Sequence, residues 1–433
     1  MPVRSSRLAG LYRLSVEERR EALREVCDLS DEAVNAFADA AALSEEAADR
    51  MIENVIGRFT LPLGVATNFL IDGEQYLIPF AIEESSVVAA ASNMAKRCRD
   101  TGGFRSSNDP PVMLAQVQVL DVKDFDAAEN AIMAAEEELL RLCNERPSTM
   151  IRLGGGVRRL TCHRIEAMTG PMLVVHLHVD VRDAMGANAV NTMAELVAPR
   201  IETLTGGRVL LRILSNLATE RMARIEARFT PESMDDKGDA EEGAKVIDAI
   251  LEAYAFAAAD PYRAATHNKG VMNAISAVAI ACGQDWRAIE AGCHAWAAVR
   301  TGAYSSMTTW HKDADGCLVG RLETPMAVGT VGGASKVHPT ARASLELLGI
   351  DGADQLASVL AAAGLAQNLG AMRALATNGI QAGHMRLHAR NMAVSAGAEG
   401  EEIDRVAAML ATWDGPRTQT TAQNILEALR REG

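Results

Sequence analysis

The sequence predicts an α+β protein in which one mixed unit is inserted between two stretches of a larger one. Three observations carry that expectation. Residues 112 to 215 run strand, helix, strand, strand, helix, strand by periodicity alone. The chain on either side returns to short strands and long Ala-rich helical patterns. Beyond Ala376, Gly379 and Gly383 bracket a short joint before a last helical piece.

The inserted unit is the clearest. VMLAQVQVLDV (112 to 122) reads as a strand and Phe125 to Leu142 as a helix with Glu and Arg on its wet face. VRRLTCHRIEAM and PMLVVHLHVDV alternate as strands about the tight Thr169-Gly170-Pro171 turn. Asn188 to Leu204 reads as a second helix and RVLLRILS as the closing strand. That order suits a ferredoxin-like split βαβ layout. The layout hosts many activities and assigns none.

Upstream, Ser15 followed by Glu18 forms a capping box for a helix ending near Cys27. Helices follow at Asp31 to Ala41 and Glu45 to Ile56. VATNF and QYLIPF read as strands around an Asp72-Gly73 turn. AIEESSVVAAASNMAKRC then leaves a strand and enters a helix through Glu83, Glu84, Ser85 and Ser86. An acid there is a cap for free amides or a proton-transfer group in a cleft.

Downstream, Thr219 to Phe229 is basic and amphipathic, DDKGDAEEG (235 to 243) reads as a solvated loop, and Lys245 to Ala259 as an apolar helix. Tyr304 to Glu323 suggests strands about a Lys312-to-Gly316 turn. The glycine-rich VGTVGGASKVHP (328 to 339) suits close backbone approach to a ligand. Asp354 to Ala376 is a long Ala-rich helical pattern interrupted by Gly364 and Gly370.

Composition excludes some roles. The chain has 433 residues, enough for two or three domains. Its formal charge of −14 disfavours nucleic acid, whose phosphates reward clustered Lys and Arg. Seven cysteines without a CxxC pair suit reduced thiols in a cytosolic protein. The N-terminus lacks a signal-peptide hydrophobic region, and no apolar run reaches ~18 residues, so neither membrane nor export is expected.

The chemistry concentrates at Asp260 to Trp296. His267, Asn268 and Lys269 stand just ahead of a helical run starting near Gly270, and Asp285 opens a second helical pattern. A lysine at a buried helix N-terminus with an acid nearby can stabilise negative charge on a substrate oxygen. Ordinary loop charges are the equal alternative. Within DVRDAMGANAVNTMAE (180 to 195), Gly186 allows close backbone approach and Asn188 starts a helix whose free amides can receive an anion. The pattern is not GxGxxG, and a plain tight turn is the simpler reading. His176 and His178 share a strand face without a diagnostic partner, and His384 with His388 lacks HExxH, so no metal is expected.

Longer motifs identify a resemblance. EESSVVAAAS (83 to 92), RDAMGANAVNTMAE (182 to 195), RAATHNKGVMN (263 to 273), GQDWRAIEAG (283 to 292) and GLAQNLGAMRALATNGIQAGHM (364 to 385) closely resemble hydroxymethylglutaryl-coenzyme A reductase, particularly its soluble bacterial, degradative-type class. MIENVIG (51 to 57) and ILSNLA (213 to 218) belong to the same set. The resemblance implies a large α/β substrate domain (1–110 and 217–376), an inserted ferredoxin-like cofactor domain (111–216) and a mobile C-terminal helical domain (377–433).

It also implies site residues. The catalytic set maps to Glu84, Lys269, Asp285 and His384. Substrate contacts map to Ser86, Arg263, Asn273, Gln367 and Asn368, and cofactor contacts to Asp183, Met185, Gly186 and Asn188. Ser85 replaces the proline of the common EEPS form. The implied reaction interconverts 3-hydroxy-3-methylglutaryl-CoA and mevalonate with two nicotinamide cofactors and coenzyme A as co-substrate. Lys269 would stabilise the hemithioacetal oxyanion in a water-poor pocket and His384 would protonate the CoA thiolate. Glu84 would give the carbonyl proton, with Asp285 linking Lys269 to Glu84 as a coupled set.

The degradative class implies NAD and mevalonate oxidation. Its acid before the triple glycine is replaced by Pro147, leaving Arg146 to pair with a 2′-phosphate. The runner-up is therefore an NADP-using, mevalonate-forming enzyme, and the remote alternative a non-enzymatic acyl-CoA-binding protein. The resemblance further implies an obligate cytoplasmic homodimer, open to higher assembly, with each site completed by the partner.

Overall fold

The computed structural model describes residues 5–39, 41–145, 148–377 and 389–432. Two sheets organise them. A mixed six-stranded sheet has the order β2-β1-β3-β8-β10-β9. Its strands are β1 (Leu63–Ile71), β2 (Glu74–Ala81), β3 (Phe104–Asn108), β8 (Met222–Phe229), β9 (Thr308–Lys312) and β10 (Leu318–Pro325). The second sheet is contiguous in sequence: β4 (Val112–Leu120), β5 (Gly156–Ile165), β6 (Met172–Asp180) and β7 (Arg208–Ser215), in the order β5-β6-β4-β7. Every pair in it is antiparallel. The last-first-third-second order is that of a split βαβ unit, as the strand and helix pattern requires.

Alternation decides which face of this smaller sheet is covered. Met113, Ala115, Val117 and Val119 of β4, with Leu173, Val175, Leu177 and Val179 of β6, are fully buried under helices. Those helices are Phe125–Ala134, Glu136–Asn144 and Ala187–Thr205. The single helix expected from Phe125 to Leu142 is thus two, broken at Ala135, whose amide bonds to the carbonyls of Ala131, Ile132 and Met133. Glu136, Glu137 and Glu138 then open the second piece, where carboxylates favour a helix start.

In the larger unit, Asp72 and Gly73 both take positive φ (51° and 86°), so the β1–β2 hairpin closes with the expected two-residue turn. Three helices, Val87–Arg97, Pro261–Ala281 and Ala353–Ala376, join this sheet in one core. Ala353–Ala376 runs unbroken through Gly364 and Gly370. A Cβ on Gly364 would lie 2.8 Å from Ile275, and one on Gly370 2.9 Å from Ala90. These glycines are therefore points of close helix contact rather than interruptions. This helix alone among the described residues is long and apolar enough to span a membrane, and two-thirds of its apolar window is buried inside the fold.

Several boundaries move. The acidic patch is loop only to Asp239, which caps the helix Ala240–Ala259, while Asp236 accepts from Arg97 and Arg373. The second helix stops at Ala38 and the third covers only Glu45–Asp49. Past it, Ile52, Ile56 and Phe59 stand exposed. The capping box at Ser15 and Glu18 forms as read.

Candidate active site

The helix Pro261–Ala281 starts a full two turns earlier than the sequence pattern suggested. Asp260 caps it through the Arg263 amide, and Pro261 occupies the first turn, where its missing N–H costs nothing. Lys269 and Asn273 consequently sit mid-helix, one turn apart on one face. Lys269 Nζ donates to Glu84 Oε2, and Asn273 Nδ2 donates to Glu84 Oε1 at 3.3 Å. The charge pair is not water-poor within one chain: the Lys269 side chain is 59% exposed and that of Glu84 34%.

Glu84 arrives from the other side, on the turn between β2 and the helix Val87–Arg97. Ser86, the N-cap, holds φ 73° and makes no side-chain cap hydrogen bond. A serine in this left-handed region costs roughly 1 kcal/mol. It aims the turn at Lys269 and leaves its hydroxyl unused by the helix. Behind it, Ser92 Oγ accepts from the Thr67 amide at 3.0 Å, and Asn68 Nδ2 donates to Ser92 O at 3.1 Å. These contacts seat the helix on the β1 bulge between Ala66 and Phe69.

Gln367 and Asn368 lie on the buried helix Ala353–Ala376. Gln367 Oε1 has no partner among the described residues. Asn368 is committed to a polar hub that sequence reasoning missed. Its Oδ1 accepts from Trp310 Nε1 (3.1 Å) and Thr308 Oγ1 (2.9 Å), and its Nδ2 faces His267 Nε2 at 3.1 Å. Ser306 Oγ and Thr308 Oγ1 also lie within 2.9 Å of His267 Nε2. Indole N–H only donates, so it orients the Asn368 amide, and Asn368 in turn makes His267 Nε2 the acceptor. His267 Nδ1 is buried without a partner among the described residues. Burial pushes the His267 pKa down to about 3, with Arg263 adding a smaller effect of the same sign.

Asp285 is placed elsewhere. It caps the helix Trp286–Val299 through the Ala288 amide at 3.1 Å. Among the described residues no hydrogen bond or ion pair joins it to Lys269 or Glu84. Arg263 makes no ion pair among them either. His384 lies outside the described residues, as do Arg146 and Pro147.

The turn from Asp183 to Asn188 lies between the two units. Gly186, at φ 95°, is the N-cap of Ala187–Thr205 and offers that helix no side-chain cap. A Cβ there would meet Val181 at 2.5 Å, so only glycine fits. Asp183 Oδ1 accepts from the Ala353 amide at 3.0 Å, fixing the turn to the start of Ala353–Ala376. Arg221, also missed in the sequence, is buried beneath and donates to the carbonyls of Ala184 (3.0 Å), Met185 (3.2 Å) and Val328 (2.5 Å). Desolvation pushes its pKa down to about 10, against the pull of Asp183 and Asp180. The strand histidines have local partners: His176 Nε2 lies 3.0 Å from Gln116 Nε2, and His178 Nδ1 lies 2.9 Å from Glu220.

Known proteins share this fold. The family profile of hydroxymethylglutaryl-coenzyme A reductase matches residues 15–389. A 3-hydroxy-3-methylglutaryl-coenzyme A reductase from Archaeoglobus fulgidus is 54% identical over 426 residues, covering 98% of this chain and 95% of that protein. The class II enzyme from Streptococcus pneumoniae, solved bound to NADPH in open conformations, is 39% identical. It aligns with a TM-score of 0.81 over 96% of this chain and all of that one. A second structure of the Streptococcus pneumoniae enzyme aligns at 0.83, also 39% identical, over 98% and 99% of the two chains. With the Lys269–Glu84–Asn273 cluster on this fold, the chain belongs to the hydroxymethylglutaryl-coenzyme A reductase family of oxidoreductases.

Proposed function

We propose that this protein reduces 3-hydroxy-3-methylglutaryl-CoA to mevalonate and CoA, with NADPH as the donor. The observation that carries the reaction is the meeting of Lys269, Glu84 and Asn273, contributed by two separate elements to one point. A lysine ammonium held by a carboxylate can turn to a developing oxyanion when substrate enters, and Glu84, once it has taken up a proton, is within reach to pass it to the carbonyl oxygen. Arg263 suits the substrate carboxylate, and Ser86 and Gln367 suit its remaining polar groups. His384 is assigned the thiolate by resemblance alone.

A nicotinamide cofactor fits the Asp183–Asn188 turn, because Gly186 leaves the amides of a nineteen-residue helix without a side-chain cap. When bound, it supplies hydride. Met185 and Asn188 would position it, and Asp183 keeps the turn anchored. NADPH in a 39% identical relative supports the runner-up cofactor over the NAD expected from the degradative class. Arg158 and Arg182 add support: both donate to the carbonyl of Gly154, the first of the triple glycine, both pair with Asp180, and both remain partly exposed. Their charge suits a 2′-phosphate. The direction of the reaction follows from the same preference.

The reading includes a cytoplasmic homodimer. Its support is the exposed apolar segment carrying Ile52, Ile56 and Phe59, together with an Asp285 that does not reach Lys269 in its own chain. The partner's copy of the capped helix would complete the set and withdraw water from it. Steady-state rates with HMG-CoA and each reduced cofactor, and with mevalonate, CoA and each oxidised one, test the proposal. A higher kcat/KM for NADH than for NADPH would overturn the cofactor assignment. A fully active monomer by light scattering would overturn the dimer.

A further inference from the structure

The glycine-rich segment after β10 is fastened to the cofactor turn and to the residue beside Asp285 at once. Gln284 Nε2 donates to Gly329 O at 2.9 Å, and the Gly329 amide donates to Gln284 Oε1 at 2.8 Å. One side-chain amide thus satisfies both polar groups of one residue's backbone, as a strand partner would. The donor-only backbone N–H fixes which way the amide points. Gln284 Nε2 also donates to Cys282 O at 3.0 Å, tying the clamp to the end of the lysine helix.

Gly329 is locked against the turn on its other side. A Cβ there would lie 2.4 Å from the Met185 amide nitrogen and 2.9 Å from the Ala184 carbonyl carbon. The Thr330 amide donates to Asp183 O at 2.9 Å, and Ala184 bridges Val331 in parallel. Arg221 grips the carbonyls of Ala184 and Met185 together with that of Val328, the residue before Gly329. Close packing leaves no room for the turn and the 328–331 segment to slide separately. Gln284 then carries their position into the Gly283-to-Asp285 corner. There Gly283 (φ 64°) approaches the Ser335 amide so closely that a Cβ would lie 2.9 Å from it, and Asp285 begins the next helix.

We propose that Gln284 is a positioning residue that couples the cofactor turn at Asp183–Asn188 to the placement of Asp285. It touches neither substrate nor cofactor and acts through Gly329. The inference rests on the assignment of that turn to the nicotinamide cofactor. Displacement of the turn on binding would shift Gly329, and the two-point clamp would shift the helix cap bearing Asp285.

The test uses the purified full-length enzyme. Gln284→Leu removes all three side-chain hydrogen bonds, two to Gly329 and one to Cys282, at similar volume. Its expected signature is a tenfold or larger rise in the KM for NADPH with a tenfold or larger fall in kcat, while the KM for HMG-CoA stays within threefold. A purely structural loss would lower the active fraction and leave both Michaelis constants alone, and that result overturns the proposal. Gln284→Glu decides the matter if the leucine variant does not fold. As a carboxylate it can accept from the Gly329 amide but repels the Gly329 carbonyl. Protonated, it regains the donor, and partial burial against the Gly329 carbonyl raises the pKa of that carboxyl, so its NADPH affinity relative to wild type should rise at least twofold from pH 8 to pH 5.5. A flat ratio overturns the coupling. Asn188→Ala separates the two assignments by direct fluorescence titration of NADPH. Weaker binding there, with Gln284→Leu unaffected, sinks the coupling alone. Unchanged binding sinks the cofactor turn and the coupling built on it.

Discussion

Lys269 and His267 are two residues apart on one helix, yet they live in opposite surroundings. The lysine side chain is 59% exposed and has a single carboxylate partner among the described residues, while the histidine is 3% exposed among Ser306, Thr308 and Asn368. Two residues turn a helix by roughly 200°, so one faces the substrate side and the other the core. The contrast separates two tasks. The buried hub fixes where the helix lies, and the exposed face keeps charge available for a ligand. Polar residues next to a proposed catalytic position are therefore not all part of the chemistry.

If that division is right, activity and stability should separate on mutation. The largest effect is expected for Lys269→Ala. Loss of its charge should lower kcat by about 10³-fold or more, as for removal of an oxyanion stabiliser, with unfolding free energy changed by no more than ~0.5 kcal/mol. Assay of HMG-CoA reduction beside urea unfolding checks both halves. A large loss of stability would erase the contrast.

Asn368→Leu should do the reverse. It removes the acceptor shared by Trp310 and Thr308 and the amide facing His267, leaving Trp310 only Thr308 Oγ1 and His267 only Ser306 and Thr308, at a cost of about 2–3 kcal/mol, read as a lower urea midpoint. A variant of normal stability with a raised KM for HMG-CoA would instead move Asn368 to the substrate side, where the resemblance placed it.

The pH dependence sharpens the same point. The folded His267 pKa, about 3, lies below its ordinary value of 6.5, so the unfolded chain takes up the proton first. Its stabilisation is complete above about pH 6.5 and fades as pH falls toward 3. Between pH 7 and pH 4 the wild type should lose on the order of 2–3 kcal/mol from this group. In His267→Gln that slope should be shallower, and equal slopes would remove His267 as the cause. His176, held down to about 4 by burial and neighbouring histidines, adds a slope of the same sign in both proteins.

The smallest effect is expected for Trp310→Phe, which deletes the indole N–H and keeps a smaller aromatic ring. It should cost roughly 1–2 kcal/mol with kcat unchanged. A fall in kcat would show that the hub tunes the exposed face as well as supporting it.

How much of this was legible varies by residue. The four strands of the smaller sheet and the hairpin at Asp72-Gly73 could be read directly, because alternation and turn chemistry are local. Glu84, Lys269 and Asn273 were recognisable through long motifs, but their meeting was not. It depends on a helix starting at Pro261 rather than near Gly270. The polar stretch before Lys269 looked like loop because its buried partners, Thr308 and Asn368, lie 41 and 101 residues from His267. Gly364 and Gly370 looked like breaks for the same reason: the side chains they admit belong to other helices. Arg221 gave no local signal at all, since only its three carbonyl acceptors justify a buried guanidinium.

By itself the sequence determined secondary-structure type, the insertion pattern, the caps and the chemistry-bearing residue types, all of which depend on neighbours within a few positions. Tertiary structure decided which polar residues are buried, that Asp285 stands apart from Lys269 within one chain, and that Gln284 spans Gly329 and the Asp285 corner. Those depend on close packing and hydrogen-bond partners far along the chain, and local periodicity carries no information about either.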